Sequence, residues 1–312
     1  SSSLKTVNFE KLTSFIPELK KTNLTIHHVS LKNIIDSSNM NPKIWLEIAD
    51  IIKHNYEKMN GFVILHGSDT MAYSASAMSF ILEGLQKPVI FTGSQIPIGA
   101  RRTDAIENLV TSVEIASSGK IKEVCIYFEN KLLRGNRTVK INSEQFEAFI
   151  SPNYPSLADI GINIKYNLNN LYKSTKNSLK INSKISSDVA ILKLFPGISE
   201  KVVKSILHSA NNIVLETFGA GNATDKPWFI KQLQDAIKKQ VFIVNCSQCL
   251  IGEVSQGKYE VSDYLDKIGV ISARDMTIES SITKLMFLDG ICNTYEEKKS
   301  LFIKSLRGEI SN

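Results

Sequence analysis

The chain has 312 residues, too many for one typical core and suited to two domains of roughly 100–200 residues each. Hydrophobic residues make up 43% and charged residues 22%, a balance that supports packed cores and excludes wholesale disorder. The net charge of +6 is spread over isolated pairs such as Lys20–Lys21, Arg101–Arg102, Lys238–Lys239 and Lys298–Lys299, which argues against a nucleic-acid partner, and no apolar run reaches the roughly 18 residues of a membrane span.

In chain order, Leu24–His28 reads as a short strand, and Pro42–Lys58 as a helix with Ile44, Trp45, Ile48, Ile51 and Ile52 at helical spacing. Gly61–His66 is a continuous apolar run, the pattern of a buried parallel strand. Thr70–Leu85 follows as a helix, Lys87–Thr92 as a second buried strand, Asp104–Ser118 as a helix and Val124–Glu129 as a third strand. The alternation predicts an open α/β sheet with crossover helices. The Asn-, Ser- and Lys-rich stretch from Tyr166 to Ser187 has little apolar periodicity and reads as a surface linker over residues 167–187, between a domain over 1–166 and one over 188–312. The second domain offers strands at Val189–Leu194, Ile213–Thr217 and Val241–Asn245, helices at Glu200–Ser209 and Trp228–Lys239, and two helical pieces within Ser280–Leu306.

In open α/β sheets a ligand site forms beyond the carboxyl ends of the strands, so the residues that follow each buried run matter most. After Gly61–Leu65 come His66, Gly67, Ser68, Asp69 and Thr70, a hydroxyl beside a carboxylate at a helix start. Asp69 or Thr70 could cap that helix; alternatively Gly67 lets a ligand approach the backbone closely and the helix N-terminus favours an anionic group. After Pro88–Phe91 come Thr92, Gly93, Ser94 and Gln95; after Val124–Phe128 comes Leu132–Asn142, with Arg134, Arg137 and Lys140. A lysine aimed at Ser68 and Asp69 would complete a relay in which an amine takes the hydroxyl proton. Asp36, Ser37 and Ser38 precede the Pro42 helix and read equally as a helix cap or as a carboxylate-binding turn.

Cys125 lies in an apolar run and reads as core; Cys246 and Cys249 form a single C-x-x-C without the second pair a zinc site needs, and read as free thiols at a strand end. Sparse cysteines of this kind fit a reducing compartment. The histidines His27, His28, His54, His66 and His208 lack metal-ligand spacing, and the Gly219–Gly221 G-x-G lacks the third glycine of a dinucleotide fingerprint.

Gly61–Leu85, Lys87–Pro97 and Leu133–Lys140, together with Asp36–Met40, Gly219–Asn222 and Asp275–Glu279, resemble the L-asparaginase family, most closely its cytoplasmic, type I bacterial branch. The resemblance implies a larger flavodoxin-like N-terminal domain and a smaller C-terminal α/β domain, assembled as homodimers or homotetramers with each site between two subunits. It implies a small-molecule substrate, L-asparagine or L-glutamine, and no metal or organic cofactor. By the same resemblance Ser68 matches the second catalytic hydroxyl, Asp69 the carboxylate that also holds the substrate amino group, and Lys140 the relay lysine. Asp36, Ser37 and Ser38, with Gly67, match the substrate-binding loops, Ser94 the amide side, and Asn222 a residue reaching in from the neighbouring subunit.

Two departures stand out. Most members carry Thr where this chain has Ser68, which keeps the hydroxyl but loses a β-branched side chain's restricted χ1. The family also opens with a Thr-Gly-Gly-Thr-Ile-like strand whose threonine is the primary nucleophile, and nothing like it occurs here; Ser1–Phe9 resembles the segment after the loop that follows it. The expectation is a sheet lacking that strand, with two neighbours left without ladder partners, and a chain inactive as it stands. The alternatives are the asparaginase-like subunit of a tRNA-dependent amidotransferase and a non-catalytic paralogue.

Overall fold

The computed structural model describes residues 16–21, 24–31, 35–255 and 260–311, so the resemblance carried by Ser1–Phe9 lies outside the described residues. The chain divides into two compact units: residues 1–151 with 155–181, and residues 152–154 with 182–312.

Among the described residues, unit 1 contains a helical turn, α1 (Pro17–Lys21), followed by α2 (Pro42–Asn55), β1 (Phe62–Leu65), α3 (Met71–Ile81), β2 (Leu82–Glu83), β3 (Val89–Thr92), α4 (Ala105–Ser117) and β4 (Val124–Phe128). β5 (Lys131–Arg134), β6 (Val139–Lys140), β7 (Phe149–Ile150), β8 (Ala158–Ile160), β9 (Ile164–Tyr166) and β10 (Lys180–Ile181) complete it. Six strands form one sheet in the order β1-β3-β4-β5-β8-β9. β1, β3 and β4 run parallel, as the buried runs predict, and every residue of β3 and β4 is buried. The far half departs from the sequence expectation: β5, β8 and β9 return antiparallel, without crossover helices. The tight β4–β5 turn is made by Glu129 and Asn130, both at positive φ.

The other side of the sheet corrects two expectations. Leu24–His28 forms no strand: residues 24–30 are exposed and have no ladder. β1 pairs only with β3 and is an edge strand among the described residues, and Leu65 is 45% exposed rather than buried. An isolated extended segment has no partner for its backbone groups, so alternating apolar residues alone do not make a strand.

The helix from Met71 stops at Ile81, four residues earlier than its apolar pattern suggests, because Leu82 and Glu83 turn out to pair with β10 and Gly84 follows at φ +74°. That pairing ties most of the 167–187 stretch to unit 1. Buried Arg134 bonds Glu123 at 2.6 Å and the carbonyl of Asn170 at 2.8 Å, and Glu123 accepts the backbone N–H of Tyr172. The division between the units falls after Ile181.

Unit 2 is a four-stranded parallel sheet, β11 (Val189–Lys193), β12 (Asn212–Thr217), β13 (Phe242–Ser247) and β14 (Ile271–Ser272), in chain order. Its helices are α5 (Glu200–Leu207), α6 (Pro227–Lys238), α7 (Glu260–Lys267), α8 (Ile278–Ile291) and α9 (Tyr295–Phe302). Leu192, Leu215, Ile243, Phe229, Leu233 and Leu265 fill one core between sheet and helices. Ser199 caps α5, Thr277 caps α8 and Thr294 caps α9, each accepting a backbone N–H of the first turn. Among the described residues no helix is long and apolar enough to cross a membrane.

Candidate active site

The site grows from the carboxyl end of β1. The chain leaves the sheet at His66, passes Gly67 in extended conformation, makes a single 3₁₀ turn over Ser68–Thr70 and enters α3. Neither capping candidate caps that helix: Thr70 Oγ1 donates to the Ser37 carbonyl at 2.7 Å, and Asp69 faces Lys140. Freed from local duty, Ser68 and Asp69 are available to groups from elsewhere in unit 1.

His66 anchors the turn from beneath. Trp45 Nε1 can only donate, so Ser74 Oγ accepts from it at 2.9 Å and gives its own proton to His66 Nε2 at 2.8 Å. The remaining ring proton therefore sits on Nδ1 and is donated to the Gly67 carbonyl at 2.6 Å. Burial lowers the His66 pKa, which keeps the ring neutral in this chain of bonds.

Lys140, on β6, extends its ammonium to Ser68 Oγ at 2.9 Å and to Asp69 Oδ1 at 2.7 Å. The Lys140 side chain is 16% exposed and that of Asp69 69%, so the pair is half walled and half open. A hydroxyl, an amine and a carboxylate in contact form the minimal set for moving a proton off a nucleophilic oxygen.

The turn Asp36–Ser38 lies against this loop. A Cβ added at Gly67 would stand 2.7 Å from Ser37 Oγ, a clash only glycine avoids. Asp36 caps its own 3₁₀ turn, accepting the Ser38 N–H at 2.8 Å and the Ser38 hydroxyl at 2.6 Å. The Ser38 hydroxyl first, then its N–H, hold the Asp36 carboxyl below the usual carboxylate range. The Pro42 helix is capped by Asn41 instead, so the cap reading of Ser37 and Ser38 does not hold for that helix.

Ser94 follows β3, half-buried between Gly93 and Gln95. Its neighbour is the residue that sequence reasoning passed over: Gln95 Oε1 accepts the Ser68 hydroxyl at 3.0 Å. Its position at the carboxyl end of the strand beside β1 was the available signal.

Asn222 belongs to unit 2. It closes a tight turn from Phe218 in which the two residues exchange backbone bonds, with Gly219 and Gly221 at positive φ. Buried Asn245 spans the turn's base, accepting from Thr217 Oγ1 at 2.6 Å and donating to the Gly221 carbonyl at 3.1 Å. The Oδ1 of Asn222 is buried with no hydrogen-bond partner. Cys246 lies buried inside β13, with burial pushing its thiol up to about 12, while Cys249 is exposed; both are free thiols, as is buried Cys125.

Comparison with known proteins finds similarity across nearly the whole chain. Residues 1–172 match the family described as "Asparaginase, N-terminal" and residues 188–302 match "Glutaminase/Asparaginase C-terminal domain". The chain belongs to the asparaginase family. L-asparaginase 1 of Escherichia coli is 38% identical over 308 residues, 97% of this chain and 90% of that protein. A 60 kDa lysophospholipase of Mus musculus is 40% identical over 281 residues, 89% of this chain but 50% of the mouse protein, so the chain spans about half of that relative. L-asparaginase I of Vibrio cholerae superposes with a TM-score of 0.92 at 40% identity, covering 100% of this chain and 95% of that one. The two-domain α/β architecture is therefore that of solved L-asparaginases.

Proposed function

We propose that this protein is an L-asparagine amidohydrolase, releasing aspartate and ammonia through a hydroxyl–lysine–aspartate relay. The observation that carries the reading is the contact of Lys140 with both Ser68 Oγ and Asp69 Oδ1. In this reading a hydroxyl attacks the side-chain amide carbon, its proton passes by way of Lys140 to the leaving nitrogen, and water then cleaves the acyl ester. Asp69 stabilises the ammonium and holds the substrate's amino group, Ser37 and Ser38 with Gly67 hold its carboxylate end on the turn that Asp36 braces, and Ser94 lines its amide side. Asn222, with an unpaired buried oxygen on a pre-shaped turn, serves the site of a neighbouring subunit in a homodimer or homotetramer. The names of the E. coli and V. cholerae relatives support the substrate class, and the cysteine usage supports a cytoplasmic setting.

These 312 residues contain no Thr-Gly-Gly-Thr-like strand. The family's primary threonine has no counterpart in these 312 residues, so the expectation for this stretch by itself is little hydrolysis. Among the described residues β1, which ends beside Ser68, pairs only on its β3 side, and such a strand would pair on the other. The test is ammonia release from L-asparagine by this chain, by Ser68→Ala, and by the chain with a Thr-Gly-Gly-Thr strand fused upstream, with L-asparagine binding followed by calorimetry. Binding that weakens in Asp69→Asn, with hydrolysis restored by the fusion, supports the reading. Hydrolysis by the unfused chain that disappears in Ser68→Ala would make Ser68 itself the main nucleophile. A folded oligomer that neither binds nor hydrolyses L-asparagine, fused or not, overturns it.

A further inference from the structure

We propose that Gln95 is the positioning residue of the relay, fixing the direction of the Ser68 hydroxyl and parking its proton away from Lys140. The inference rests on the reading of Ser68 as a relay hydroxyl.

The orientation of the Gln95 amide follows from its surroundings. Its Nε2 faces two acceptors, the carbonyls of Gln145 at 3.1 Å and Asn142 at 3.4 Å. Carbonyls cannot donate, so the NH₂ must point at them and Oε1 must point at Ser68. Oε1 in turn can only accept, so the Ser68 hydroxyl donates its proton to Gln95 across 3.0 Å. What remains on Ser68 Oγ is a lone pair, and Lys140 donates to it across 2.9 Å. With Asp69 Oδ1 as its second acceptor, Lys140 makes both of these contacts as a donor and not as a base.

Gln95 is itself held on every side. Its backbone N–H bonds both carboxylate oxygens of Asp104, at 2.9 and 3.1 Å, and the N–H of Ile96 adds a third bond at 3.0 Å. Asp104 is buried and also accepts from Asn108 Nδ2 at 3.1 Å. A rigid strand end thus carries the acceptor, and the amide bridges that end to the loop after β6.

Serine needs such a device more than threonine does. A β-branched side chain is restricted at χ1 by its own second substituent, whereas the serine hydroxyl swings among three staggered wells unless something outside holds it. Here the restraint comes from Gln95 on one side and Lys140 on the other. For the hydroxyl proton to move toward Lys140, it must first leave Gln95, so the amide also sets the resting state of the relay.

The test is the position of Ser68 in crystal structures of ligand-free Gln95→Leu and Ser68→Thr/Gln95→Leu. The expected result is that Ser68 Oγ occupies a second rotamer in Gln95→Leu, while the threonine of the double variant keeps one. Gln95→Asn withdraws the acceptor by one methylene and carries the same test if Gln95→Leu does not fold. A Ser68 that stays in its single rotamer against Lys140 in these variants overturns the inference. In the fused, hydrolytic form kcat should fall about 3- to 10-fold in Gln95→Leu with KM little changed, the worth of one neutral hydrogen bond, and Ser68→Thr should recover part of it. A rise in KM alone would place Gln95 on the substrate instead and overturn the positioning role. Unchanged ammonia release in Ser68→Ala would sink the relay reading of Ser68 without altering the rotamer result, so the two failures are distinguishable.

Discussion

Two lysine–carboxylate pairs, one in each unit, contrast a candidate relay with a structural clasp. In unit 2, Lys284 meets Glu309 at 2.5 Å with both side chains fully buried. Its ammonium also donates to the carbonyls of Phe302 and Lys304, and Glu309 accepts the backbone N–H groups of Leu306 and Arg307. Burial lowers the Lys284 pKa, and the attraction of Glu309 opposes that shift. Three acceptors use up the three protons of the ammonium, so this pair clasps the C-terminal turn and has nothing left to offer. In unit 1, Lys140 meets Asp69 at 2.7 Å, but one of its partners is a hydroxyl and Asp69 is largely open to solvent. The same two side-chain types yield a fastener when saturated and a candidate relay when a hydroxyl replaces a carbonyl and one edge stays open.

Breaking each pair should therefore have opposite consequences. Lys140→Met is expected to lower ammonia release by the fused form by about 10²- to 10⁴-fold, the range of a proton-transfer group, with a thermal midpoint close to wild type. A large loss of stability with that substitution would mean that the Lys140 pair, too, is structural.

Lys284→Met is expected to cost about 3–5 kcal/mol, since it strands a buried carboxylate, and calorimetric melting would show it. Removing both charges in Lys284→Met/Glu309→Leu should recover much of that loss, because the uncompensated charge disappears. A double variant no better than the single one would argue that the carbonyl contacts of Lys284 carry the clasp.

Gly67→Ala tests whether the two loops of the candidate site depend on each other. The added Cβ displaces Ser37, so L-asparagine binding should weaken by about tenfold, an effect of about 1.4 kcal/mol, as read by calorimetry. Unaltered affinity would remove the Asp36–Ser38 turn from the site.

A further effect concerns pH. Burial raises the Glu279 carboxyl from 4.5 to about 7, with nearby Glu216 adding to the shift. A raised carboxyl binds its proton more tightly in the folded state, so its contribution is complete below 4.5 and fades as pH climbs through about 7. Melting temperature should drop less between pH 5 and pH 8 in Glu279→Gln than in wild type. Equal drops would show that Glu279 ionises in the folded state as it does in the unfolded one.

Much of this molecule was legible residue by residue. Continuous apolar runs located β3, β4 and β12 because strands buried on both faces need no polar alternation. The quoted resemblance to the asparaginase family named Ser68, Asp69 and Lys140. Leu24–His28 misled because apolar alternation describes a side-chain pattern, while a strand exists only if another backbone answers its hydrogen bonds. For the stretch over 167–187, polar composition reads as a surface linker, and the fold adds what composition does not reveal: Glu123, Arg134 and β2 hold part of it through backbone groups.

By itself, then, the sequence determined which segments would be buried, where strands would end in small polar residues, and which family these residues resemble. Only the tertiary structure decided that Ser68 would meet a lysine 72 positions later and a glutamine 27 positions later, and which way each proton would point. The physical reason is one of range. Burial and helix spacing are written locally, in each residue's own chemistry and that of its near neighbours. A hydrogen bond's direction depends on which donor and acceptor the folded sheet brings within 3 Å, and that is a property of the whole fold.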